Sequence, residues 1–70
     1  MTTDLKTAVA LVAADTREQF EEEFTDERAI RITRDELTVH DITHMTAELQ
    51  DAYRLVLTVA QDEIDTVLRG

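Results

Sequence analysis

The chain contains no cysteine, proline, serine, asparagine or tryptophan, and its single glycine, Gly70, is the last of 70 residues. Without cysteine there is no disulfide framework, no thiolate metal site and no cysteine nucleophile. The absence of serine removes the commonest hydroxyl nucleophile, and there is no glycine-rich loop to cradle phosphate. Cationic residues are scarce. Lys6 is the one lysine beside six arginines, against 16 acidic residues, for a net charge of −9. That balance excludes the broad basic surface that phosphate backbones require, so nucleic acid is not an expected partner. It favours solubility, a basic protein partner or bound cations. No run approaches the roughly 20 apolar residues of a membrane span. The opening residues Met1, Thr2, Thr3 and Asp4 lack the basic start and apolar core of a signal peptide. A cytoplasmic location away from membranes is therefore expected. Eleven threonines and the acidic excess match the usage of a high-GC genome or a salty cytoplasm.

The chain is nevertheless 43% hydrophobic, within a length that allows one domain, residues 1–70. At this size apolar burial at about 25 cal/mol/Å² barely offsets an ordering cost of roughly 1.5 kcal/mol per residue. Small folds recover the difference from disulfides, metals or a second chain. With disulfides excluded, a core shared between copies is the simplest route, which predicts a homo-oligomer with a dimer favoured.

Two segments carry strong helical periodicity. In residues 3–24, Leu5, Ala8, Val9, Val12, Phe20 and Phe24 recur at spacings of three and four, with Thr16 completing the row. Thr3 is placed to cap this helix and Asp4 to meet its positive end. Residues 8–14 (AVALVAA) are apolar on almost every side, the mark of a stretch buried from more than one direction. Residues 43–68 read as a second, longer helix. Met45, Leu49, Ala52, Val56, Val59 and Glu63 form one row; Tyr53, Val56, Leu57, Ala60, Ile64 and Val67 form the next. Together they make an apolar band wider than one short helix can cover, and so an expected interface.

Residues 28–42 admit two readings. Ile30, Ile32, Leu37 and Val39 fit a β-hairpin turning at 33–36, with Ile32 opposite Leu37, Ile30 opposite Val39 and Arg28 opposite Asp41. Alternatively, Thr33 caps a short helix over 34–40, with Glu36 three residues on and Ile32 and Leu37 as a hydrophobic staple. The unbroken β-branched alternation favours the hairpin. The expected fold is thus α+β, in the order α-β-β-α, with an all-α bundle as the alternative.

Three constellations could carry chemistry. Glu18, Glu21, Glu22, Glu23, Asp26 and Glu27 crowd the C-terminal end of the first helix, where the backbone dipole already disfavours anions. A solvated face, a dock for a basic surface and a divalent metal site are the three readings of this acidic patch. Second, Glu18-x-x-Glu21 and Glu48-x-x-Asp51 on two antiparallel helices could hold Mg²⁺ through oxygen ligands. This spacing is similar to that of the all-α nucleoside-triphosphate pyrophosphatases, and Glu48-Leu49-Gln50-Asp51 leading into an apolar helix resembles their second motif. The resemblance covers about eight positions. It implies metal-assisted nucleotide hydrolysis with those four carboxylates as ligands. Third, His40 and His44, four apart, could share a metal with Glu48 on a continuous helix, a pattern similar to the zinc-protease helix with Asp41 in place of its glutamate. The hairpin reading breaks that motif, and no cofactor is expected.

The leading functional expectation is a non-enzymatic, acidic interaction module that self-associates through its C-terminal helix. A small dimeric, antitoxin-like regulator is the second, with Arg28, Arg31 and Arg34 lining one face of a strand that reads nucleic acid. The Mg²⁺-dependent nucleotide hydrolase is the third.

Overall fold

The structure, a computed structural model, describes residues 4–36 and 45–69. Among these residues there are four helices and no strand: α1 (Leu5–Phe20), α2 (Asp26–Glu36), α3 (Ala47–Thr58) and α4 (Gln61–Arg69). The α-β-β-α expectation is therefore wrong, and the all-α alternative fits. The first arm of the expected hairpin lies inside α2. Its second arm, with Leu37, Val39 and Asp41, falls outside the described residues, as do His40, Ile42, Thr43 and His44. The Ile30/Ile32 alternation misled because only Ile30 is fully buried; Ala29, Ile30 and Thr33 form the buried face and Ile32 is half-buried. That is a helical spacing. Thr33 is not a cap: it sits within α2 and its hydroxyl meets that of Thr16 at 2.8 Å. The start of α2 is made by Thr25, whose Oγ1 accepts from the Arg28 N–H at 3.2 Å, with Asp26 and Glu27 in the first turn.

α1 is the central element, packed against α3, α2 and α4, in that order of extent. This accounts for its apolar girth: Ala8, Val9, Val12 and Ala13 are all buried. The alanines let neighbouring helices approach closely, while Val9 and Val12 fill the space between. Its N-cap is Asp4, which accepts from the Thr7 N–H at 2.7 Å; hydrogen bonding from the Thr7 side chain, and then from its N–H, holds the exposed Asp4 carboxyl below its ordinary pKa. α1 also ends earlier than its periodicity suggests. Glu21 turns into the left-handed region (φ 54°, ψ 36°), and the Glu22 N–H closes back on the Arg17 carbonyl at 3.2 Å. Phe24 thus belongs to the connection, not to the helix.

The expected helix over 43–68 is two helices. Val59 is extended (φ −78°, ψ 157°) and α4 begins at Gln61. No proline or glycine forces the break. Thr58 contributes locally, because its hydroxyl donates back to the Arg54 carbonyl at 2.8 Å, a contact that bends helices. Arg34 contributes from a distance, donating to the carbonyls of Val56 (2.8 Å) and Val59 (3.0 Å). The turn brings Ile64 of α4 into the core beside Ala52, Tyr53 and Val56 of α3.

That turn changes what remains of the apolar band. Ala52, Tyr53, Val56 and Ile64 are buried within the single chain, and Met45, Leu49, Val59 and Val67 pack half-buried against them. Only Leu57, at 36% exposure, and Ala60 stay open to solvent. Ile64→Ala should therefore destabilise the fold by about 2–5 kcal/mol in urea melts, because it empties a filled core position. Leu57→Ala should change stability by no more than about 0.5 kcal/mol. A large Leu57 effect would show that the side chain is covered by another molecule.

Candidate functional site

The acidic residues singled out by the sequence meet at the corner joining α1 to α2. Glu18, Glu21, Glu22, Glu23, Asp26 and Glu27 are all exposed there. The corner is held by Arg17, whose Nη1 donates to Asp26 Oδ1 at 2.7 Å and to the Phe24 carbonyl at 3.3 Å. Glu27 pairs with Arg31 at 3.2 Å, one turn along α2. Among the described residues, no ion pair reaches Glu18, Glu21, Glu22 or Glu23. The carboxylates share the corner with an aromatic pair. Phe20 and Phe24 meet edge to face, centroids 5.8 Å apart, and the Arg28 guanidinium lies 5.7 Å from the Phe24 centroid. Phe20 is the most exposed large apolar side chain described, at 41%.

The backbone at this corner is locally unfavourable. A left-handed conformation in a residue with a Cβ costs roughly 1–2 kcal/mol, and glycine is the usual occupant. Here a glutamate takes that place, at a helix end whose dipole repels it. Glu21→Gly should accordingly raise stability by about 1 kcal/mol, readable as a higher urea midpoint. Lower stability would mean that the Glu21 side chain has a structural role.

The four proposed Mg²⁺ ligands do not assemble. Glu18 and Glu48 border one groove of about 250 Å³ between α1 and α3, whose floor includes Leu11, Ala14 and Leu49. Glu21, by contrast, caps α1, and Asp51 faces Arg54 at 3.7 Å. Among the described residues, no three metal-ligating side chains form a group that could hold an ion. The arginines expected to line a strand are distributed over a helix, each with a partner within the chain. Arg28 lies over Phe24, Arg31 pairs with Glu27, and Arg34 serves the α3–α4 turn. The β-ribbon arrangement is thus removed by the helicity of α2.

Sequence reasoning did not foresee the polar links between helices. The Tyr53 ring is buried, and its hydroxyl donates to the Asp15 carboxylate, which also accepts from Gln19. With Thr16–Thr33 this ties α1 to both α3 and α2, and among the described residues no buried side-chain polar atom lacks a partner. The signal available beforehand was Tyr53 itself, a polar tip on an otherwise apolar row.

Burial raises the Tyr53 phenol above its ordinary pKa, and the hydrogen bond to Asp15 adds to the shift. An unfolded tyrosine ionises near pH 10. The stabilisation linked to the higher native value is therefore fully present below about pH 10 and is lost as pH rises through the native value. Tyr53 is the only tyrosine. Tyr53→Phe should cost about 1 kcal/mol at neutral pH and flatten the loss of stability above about pH 10 in urea melts. An unchanged alkaline slope would assign that loss to other groups.

No helix among the described residues is long and apolar enough to cross a membrane. Comparison with known proteins finds no matching family model, no matching curated protein and no matching solved structure.

Proposed function

We propose that this chain is a non-enzymatic interaction module that offers the acidic corner between α1 and α2 to a basic protein surface. One observation carries the reading: six exposed carboxylates share a corner with the exposed ring of Phe20. Interfaces commonly combine an aromatic anchor with a charged rim, and opposite charge accelerates encounter. The anions at this corner crowd the negative end of α1, so a cationic partner relieves a repulsion that the isolated domain carries. Self-association through the C-terminal band draws less support from the same structure, since Leu57 and Ala60 are the band residues left exposed.

An arginine-rich peptide titrated against the protein tests this reading. Binding is expected at low salt and should weaken steeply as salt rises. Replacing Glu21, Glu22 and Glu23 by glutamine should reduce affinity at least about tenfold, and Phe20→Ala should reduce it further. Neutralising Asp62, Glu63 and Asp65 on α4 changes net charge equally and should have a much smaller effect. Equal losses from the two triple variants would show that only net charge is sensed.

A further inference from the structure

We infer that α4 is an exchangeable arm. The turn at Val59–Ala60 can straighten, and α4 of one chain can then take the place of α4 in a second copy, giving a domain-swapped dimer. The first observation is that, beyond the local bend at Thr58, the break is tertiary in origin. Neither proline nor glycine interrupts residues 47–69, and the row of Tyr53, Val56, Leu57, Ala60, Ile64 and Val67 runs through the turn without a change of phase. Nor does α4 start itself well, because the residue preceding it, Ala60, has no side-chain oxygen to cap it. The Ala60 carbonyl is met instead by the N–H groups of Glu63 (3.1 Å) and Ile64 (3.4 Å).

The second observation is what happens to the carbonyls at the turn. In a continuous helix those of Val56 and Val59 would accept from the N–H groups of Ala60 and Glu63. In the folded chain Arg34 supplies both hydrogen bonds. Straightening thus exchanges two side-chain donors from α2 for the ordinary backbone ladder, and further adds Gln61 to Leu57 and Asp62 to Thr58. The straight form therefore gains backbone hydrogen bonds at the hinge, and Arg34 is the contact that holds the turn against it.

The third observation concerns the occupant. The seat of α4 on α1 and α2 is built around Ile64, with Val67 and Leu68 half-buried beside it. A second copy offers the same side chains to the same seat, so the exchange loses none of these contacts. Leu57 and Ala60 are the band residues left exposed in the single chain. Leu57 lies just before the hinge and Ala60 within it.

The test compares three chains refolded from denaturant at millimolar concentration and separated by size. The parent should yield a dimer fraction. Ala60→Pro should lower the dimer association constant at least about a hundredfold, since proline there breaks a continuous helix, whereas the extended Val59 is already in the region favoured before proline. Arg34→Ala should raise that constant about tenfold; if this variant does not fold, the parent and Ala60→Pro decide alone. Lys6 and Leu68 border one cavity of about 400 Å³ where α4 meets α1 and α2. In Lys6→Cys/Leu68→Cys, a short bis-maleimide should join two chains in the dimer fraction and close within one chain in the monomer fraction. A parent that stays monomeric overturns the inference. So does a dimer indifferent to Ala60→Pro, or a dimer fraction cross-linked only within chains.

Discussion

Arg34 reaches from the last turn of α2 to the carbonyls of Val56 and Val59, and that contact stabilises the turn by which the apolar C-terminal segment covers itself. A chain this short has few residues with which to enclose a wide hydrophobic band. Left straight, residues 47–69 would present both rows of the band along one rod, and α1 and α2 could cover only part of it. Broken after Thr58, the same residues supply two walls. α3 lays Ala52, Tyr53 and Val56 against α1, and α4 returns Ile64 to the same core. Two further links tie α3 and α2 to α1. Tyr53 meets Asp15 across α1 and α3, and Thr16 meets Thr33 across α1 and α2, so the polar groups enclosed with the core are satisfied by one another.

Much of this was readable residue by residue. The all-round apolarity of 8–14 announced a helix buried from several directions, and α1 is that helix. The two rows expected to form an interface include Ala52, Tyr53, Val56 and Ile64, which the single chain buries in its own core. What failed was information held elsewhere in the chain. Nothing between Thr58 and Gln61 forbids helix, and the donor that makes a break tolerable lies more than twenty residues away in Arg34. Such a contact leaves no local signature. α2 was misread for the opposite reason. Its signals were local, with Thr25 ahead of Asp26 and Glu27 and arginines at a spacing of three. They were outweighed by the β-branched alternation of Ile30 and Ile32.

The candidate site divides along similar lines. Contiguous residues such as Glu21, Glu22 and Glu23 share a corner wherever the helix ends, so their clustering depended little on topology. The carboxylate pairs assigned to Mg²⁺ needed two helices in a particular register, and α1 ends at the residue that supplies one of those ligands. Among the described residues Glu21 is the one non-glycine residue with a positive φ, and it stands at a helix terminus that repels its charge. It stands on the surface assigned to a basic partner, where stability and recognition make opposite demands.

The account as a whole depends on one chain enclosing its own core. Thermal melts followed over about a hundredfold range of micromolar protein concentration test this most directly. A cooperative transition whose midpoint does not move with concentration is the predicted result. A midpoint that climbs as protein is added would contradict it, because the core would then be completed only by a second chain.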